Sequence, residues 1–174
     1  MSMFKDNILS GKRILVTGGG SGLGKEFVEA YSSLGAEIHI CGRRGSVLQN
    51  TALEISSKTG GLVIPHAVDI RTAGEVEELI EEIWQKSGPL TGLVNNAAGQ
   101  IMSPTDKLSV RGFDAVAATV FHGTYYVTHS VGKRWIEEGL KGNIISILVT
   151  WIWSGSPYVV PSVMSKAGVN AMTK

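Results

Sequence analysis

Thr17-Gly18-Gly19-Gly20-Ser21-Gly22-Leu23-Gly24 carries the clearest chemical signal in the chain. Small residues at this density let backbone N–H groups approach a pyrophosphate, and a helix N-terminus directly behind them adds partial positive charge. Such a cradle needs a strand before the glycines and a helix after them. Arg13–Val16 has the apolar run of a strand. Gly22 to Leu34 has Leu23, Phe27, Ala30, Tyr31 and Leu34 at helical spacing. A merely flexible glycine turn is the alternative, and the two flanks argue against it. The expected nucleotide contacts here are Gly18, Ser21, Gly22, Leu23 and Gly24.

The second chemical signal is a pair of charges. A carboxylate at the end of the second strand of such a unit would hydrogen-bond the ribose hydroxyls of NAD. This chain offers Cys41-Gly42-Arg43-Arg44, with no acid. Two guanidinium groups suit a 2′-phosphate, because each presents a planar fork of donors. NADP(H) is therefore predicted over NAD(H), the alternative being an arginine pair solvated on a loop. His39, His66, His122 and His129 show no metal-ligand spacing, and no metal is expected.

These residues need elements to hold them, and strand and helix signals alternate along the chain. Strands are predicted at Arg13–Val16, Glu37–Cys41, Leu62–Val68, Leu93–Asn95 and Asn143–Leu148. Helices are predicted from Gly22 to Leu34, from about Val47 to Lys58, and from the capping-box pattern Thr72-Ala73-Gly74-Glu75 to about Lys86. A long helix should run from about Val110 to Glu138, and a last one from near Val160 to Lys174. Gly35, Gly60-Gly61, Gly88-Pro89 and Gly139 supply the breaks. The alternation predicts an α/β fold, a doubly wound parallel sheet of strand order 3-2-1-4-5. Ligands should sit at the carboxyl ends of strands one and four. One NADP-binding domain over residues 1–174 accounts for the pattern. The last helix lacks a stop signal, so the domain is expected to be incomplete at its C-terminus.

Composition narrows the function classes. A net charge of +1 gives no broad basic footprint for nucleic acid. No run of 18 apolar residues is present, so no membrane span is expected, and residues 1–13 lack the apolar core of a secretory signal. The single cysteine, Cys41, suits a reducing compartment and a small buried apolar role. A cytoplasmic protein with a small-molecule substrate is expected.

The spacing T-G-x-x-x-G-x-G, with Asn95-Asn96-Ala97-Ala98-Gly99 after the fourth strand, resembles the short-chain dehydrogenase/reductase family, whose cofactor fold is the Rossmann fold. The resemblance implies that Asp69 accepts from the adenine amino group, that Ile70, Asn95 and Ala97 line the cofactor, and that Lys166 holds the nicotinamide ribose. It also implies a homotetramer packed through the two long helices. Most members carry Y-x-x-x-K on the helix after strand five, which puts both side chains on one face. Here that stretch is Ser162-Val163-Met164-Ser165-Lys166, so a serine stands at the tyrosine position. The family's usual serine falls on Val149 and its usual asparagine on about Val120.

One branch departs in this way, and the whole chain resembles it: the 2,4-dienoyl-CoA reductases. Matching stretches include Thr17–Lys25, Ser32–Ala36, Ser103-Pro104-Thr105, Val159–Ser162 and Lys166–Val169. By this resemblance Ser162 takes the lysine-helix serine position, Trp151 the position of that branch's active tyrosine, and Gln100 that of its asparagine. Arg71 matches an arginine that contacts the acyl-CoA, while Ile101 and Ser109 match further substrate contacts. Trp151 offers one N–H and cannot deliver a proton at ordinary pH. Hydride addition to a conjugated thioester builds charge on the thioester oxygen, which positioned donors stabilise. A ketone would instead need a proton. Gln100, Trp151, Ser162 and Lys166 therefore predict reduction of an unsaturated acyl-CoA. Two alternatives stand: a carbonyl or 3-oxoacyl reductase using Tyr158 from the turn, and an NADP-binding protein without turnover. Trp151 and Trp153 also suit a hydrophobic wall under any of the three.

Overall fold

The structure, a computed structural model, describes residues 4–174. Its elements run β1 (Arg13–Thr17), α1 (Gly22–Ser33), β2 (Glu37–Gly42), α2 (Gly45–Thr59), β3 (Val63–Ala67), α3 (Ala73–Lys86) and β4 (Gly92–Asn95). There follow α4 (Val110–Ala117), a π-helical segment (Ala118–Gly123), α5 (Thr124–Glu137), β5 (Asn143–Ser146), α6 (Trp151–Ser154) and α7 (Val160–Met172). All strand pairs are parallel, in the order β3-β2-β1-β4-β5 that the alternation predicts.

The sheet's centre explains the order. Leu15, Val16, Ile38, Ile40, Leu93 and Val94 are buried, and side chains alternate between faces. One face packs Leu15 and Leu93 with Val76, Leu79, Ile80 and Ile83 of α3 and Val127 and Val131 of α5. The other packs Val16, Ile38, Ile40 and Val94 with Val28 of α1 and Leu48, Ala52 and Ile55 of α2. Strands buried on both faces are continuously apolar, as these are. The outer strands differ. Pro65 sits inside β3, where its missing N–H is tolerated because β3 is an edge. β5 is the other edge, and Ile144 and Ile145 on it are exposed.

Several local expectations are corrected. Thr72 precedes α3 but makes no side-chain cap. Glu75 instead accepts the N–H of Asp69 at 2.9 Å, a contact six residues back. The long helix is not continuous: residues 118–123 form a π turn. Gly123 lies there because a Cβ would stand 2.8 Å from Ile70 Cδ1. β5 stops at Ser146, and the run after it turns into the four-residue α6.

Candidate cofactor groove and active site

The ends of β1 and β4 are stitched together before any ligand is considered. Thr17 Oγ1 accepts the N–H groups of Asn96 and Ala97, each at 3.0 Å. Asn96 Nδ2 donates to the Thr17 carbonyl at 3.0 Å. The glycines then turn tightly over this junction. Gly18 adopts φ +68°, and a Cβ on it would lie 3.0 Å from Ala97 Cα; one on Gly24 would lie 2.3 Å from the Gly18 carbonyl oxygen. Thr51 Oγ1 fastens the Gly20 carbonyl at 2.9 Å from α2.

This turn forms one wall of a groove of about 320 Å³, with Gly18, Gly20 and Ser21 on it. The other walls come from Arg43, Arg44, Val47 and Leu48 after β2, from Val68, Asp69 and Ile70 after β3, and from Asn96, Ala97, Ala98 and Thr119. Arg44 Nη2 donates to Ser21 Oγ at 3.2 Å, joining the arginine pair to the glycine turn. The carboxylate of Asp69 is held below the usual carboxylate range, first by its bonds to Arg71. Cys41 lines the groove, but burial pushes its thiol up to about 12, so it is a packed apolar group rather than a nucleophile.

A second hollow, about 340 Å³, adjoins the first through Asn96 and Ala98. Gly99, Gln100, Ile147, Leu148, Val149, Ser162 and Lys166 complete it. Ser162 and Lys166 are buried one helical turn apart on α7. Lys166 Nζ donates to the carbonyl oxygen of Ile147, and burial moves its ammonium down from the ordinary lysine range. An ammonium has three donors, so two remain for a ligand in the hollow.

Other expected contacts lie elsewhere. Asn95 is buried under the groove, with Nδ2 donating to Thr128 Oγ1 at 2.9 Å and Ser146 Oγ at 3.3 Å; its neighbour Asn96 lines both cavities. Gly22, Leu23 and Gly24 open α1 behind the groove wall, and Leu23 is exposed. Trp151 begins α6 outside the hollow's lining and is 40% exposed. Tyr158 is exposed, and its carbonyl accepts from Ser103 N at 3.0 Å. Ser109 Oγ caps α4 by accepting from Gly112 N at 3.1 Å. Ile101 is exposed beside that cap. Thr119, which the sequence analysis did not single out, reaches the groove from the π turn. Among the described residues no cluster of three His, Cys, Asp or Glu could hold a metal ion, and no helix is long and apolar enough to cross a membrane.

The profile described as short chain dehydrogenase matches residues 12–174. The chain is 40% identical over 173 residues to a probable 2,4-dienoyl-CoA reductase of Caenorhabditis elegans, an alignment covering 99% of this chain and 56% of that protein. A probable 2,4-dienoyl-CoA reductase of Bacillus subtilis is 32% identical, over 94% of this chain and 64% of its own. A crystal structure of a short chain dehydrogenase from Bacillus anthracis superposes with a TM-score of 0.89 at 40% identity, covering 93% of this chain and 65% of that one. The chain thus spans little more than half the length of the first of these relatives.

Proposed function

The chain belongs to the short-chain dehydrogenase family, and from that premise we propose that it is an NADP(H)-dependent reductase of an unsaturated acyl-CoA, of the 2,4-dienoyl or enoyl kind. The observation that carries this reading is the hollow where Gln100, Ser162 and Lys166 meet with no tyrosine in its lining. Its relatives in worm and Bacillus carry the dienoyl-CoA reductase name, which supports the same choice.

Bound NADPH would supply a hydride to a carbon of the conjugated thioester. The chain's own part is to hold and to polarise. Gly18, Gly20 and Ser21 cradle the pyrophosphate, where the glycine geometry leaves room for backbone approach. Arg43 and Arg44 take the 2′-phosphate, and Asp69 accepts from the adenine amino group. Lys166, anchored on the Ile147 carbonyl, turns its remaining N–H groups to the nicotinamide ribose. Gln100 and Ser162 donate to the thioester oxygen as charge gathers on it, and water then delivers the proton that completes the reduction at carbon, so no strong acid is required of either. Trp151, with Ile101 and Ser109, stands on the acyl side, and Arg71 on the side of the coenzyme A phosphates. A homotetramer packed through the long helices fits the exposed Tyr125 on α5 and Met164 on α7. A cytoplasmic setting fits the free, buried Cys41.

The test is direct. The purified chain should oxidise NADPH with dienoyl- or enoyl-CoA and leave ketones untouched. Oxidation with ketones alone overturns this reading in favour of carbonyl reduction. Quenching of tryptophan fluorescence by NADPH without turnover of either class would make the chain a nucleotide-binding protein.

A further inference from the structure

Asp69 faces the groove, yet both oxygens of its carboxylate are already engaged. Arg71 Nε lies 2.9 Å from both Oδ1 and Oδ2. Arg71 Nη2 also donates to Oδ2, and the Arg71 backbone N–H donates to Oδ1 at 3.1 Å. Every one of these donors comes from the same residue. The Asp69 backbone is pinned separately by Glu75. Arg71 is the movable partner, with its side chain 39% exposed on a long stem.

We propose that Arg71 and the base of the nucleotide compete for the Asp69 carboxylate, so that nucleotide binding releases the guanidinium to receive a phosphate of the acyl-CoA. The proposal rests on the reading above, in which adenine meets Asp69 and Arg71 faces coenzyme A. An exposed ion pair contributes little net stability, because solvent screens it and two side chains lose freedom. A base amine lodged against Val68 and Ile70 offers the same carboxylate a charge-assisted bond shielded from water. Once one oxygen is taken, the two-pronged seat of the guanidinium is broken. At neutral pH the carboxylate stays ionised after Arg71 leaves, because its ordinary range lies well below neutrality, and Arg43 also favours its charge. The freed guanidinium stays charged and matches phosphate in shape. Nucleotide and acyl-CoA then strengthen each other's binding, and by linkage the effect is reciprocal.

The experiment measures nucleotide dissociation constants by calorimetry, for NADPH and for reduced nicotinamide mononucleotide, which lacks adenine. Arg71→Gln should tighten NADPH about two- to fivefold, the worth of an exposed ion pair, and leave the mononucleotide unchanged. The gain should vanish when Arg71→Gln is added to Asp69→Asn. Weaker or unaltered NADPH binding in Arg71→Gln, or an equal shift for the mononucleotide, overturns the competition without reference to any acyl substrate. In a second arm, NADP⁺ should tighten coenzyme A on the wild-type chain by about two- to fivefold and have no such effect on Asp69→Asn. Equal coupling in that variant overturns the handover. Coenzyme A that fails to bind the NADP⁺-saturated wild type removes the acyl-CoA reading and the handover's second half together, while the nucleotide arm still decides the first.

Discussion

His39 Nδ1 lies 2.9 Å from His66 Nε2, across the pairing of β2 with β3, and the two rings stack at 5.2 Å between centroids. His39 Nε2 lies 3.0 Å from Glu37 Oε1, and Arg13 holds that carboxylate ionised. An ionised carboxylate only accepts. His39 therefore carries its proton on Nε2, its Nδ1 accepts, and His66 donates from Nε2. Both rings are neutral, and a proton added to His39 would make its Nδ1 a donor and force His66 to move its own proton to Nδ1.

A pH dependence of stability follows from that pair. Burial lowers both imidazoles, His66 to about 4, with the Glu37 carboxylate partly opposing the shift at His39. Glu82 and Lys86 of α3 act on His66 with opposite signs. The unfolded chain takes up these protons near 6.5, before the folded one does. Stability is thus complete above about 6.5 and declines as pH falls from there toward 4. Thermal denaturation should show a Tm roughly 5 °C lower at pH 5 than at pH 7.5. His66→Gln keeps a donor toward His39, removes one titrating ring and should shrink the drop. A Tm flat across that interval would contradict the pairing.

Two glycines separate packing from conformation. A methyl on Gly24 would meet the Gly18 carbonyl at 2.3 Å and Asn96 Nδ2 at 2.6 Å. Gly24→Ala should lower stability by about 1–3 kcal/mol, and it should weaken NADPH at least tenfold by displacing the cradle. Gly60, the left-handed cap of α2 at φ +73°, has open space where its Cβ would be. Gly60→Ala should cost about 1 kcal/mol of backbone strain and leave NADPH affinity untouched. Denaturant melts beside fluorescence titrations distinguish the two.

The same contrast shows what could be read from the residues alone. The glycine stretch between an apolar strand and a helix announces the groove, because only strand-turn-helix gives those glycines a purpose. The strand order followed from alternation and the handedness of crossovers. The π turn did not, since Gly123 is explained only by Ile70, some fifty residues earlier in the chain. Asn95 and Asn96 are alike in sequence, and a one-residue register decides which faces the groove. Glu75 has the spacing of a capping box, but the turn that leaves β3 brings Asp69's N–H, six residues back, within its reach. Local patterns were legible, and competitions settled by tertiary neighbours were not.

On the proposed reading the arginine pair sets the nucleotide preference. Arg43 and Arg44 line the groove with Ser21, and the β2 end offers no carboxylate. Arg44→Asp should place a ribose acceptor where a phosphate donor stood. A lost charge-assisted bond is worth about 1.5–3 kcal/mol, so NADPH should weaken roughly ten- to a hundredfold while NADH binding improves. The wild-type NADPH constant should also weaken with added salt more steeply than the NADH constant, because only the former uses the exposed phosphate contact. Equal losses for both nucleotides would assign the pair to solvent.

Lys166 and Ser162 share one helix face and one hollow, yet they should fail in different ways. Lys166→Met removes an ammonium that is buried with the Ile147 carbonyl as its acceptor. Burial already disfavours its charge, so Tm should stay within about 4 °C of wild type. Without its hold on the ribose, the NADPH constant should rise, and turnover should fall about a hundredfold from misplacement of the hydride. On the proposed reading, Ser162→Ala keeps that hold and deletes a donor to the thioester oxygen. Its NADPH constant should match wild type while kcat falls about 10²–10³-fold, the scale for a lost oxyanion donor. Stopped-flow nucleotide binding beside steady-state reduction reads both numbers on each variant. If Ser162→Ala weakens NADPH as much as Lys166→Met does, the serine belongs to the cofactor and the oxygen must be polarised by another group.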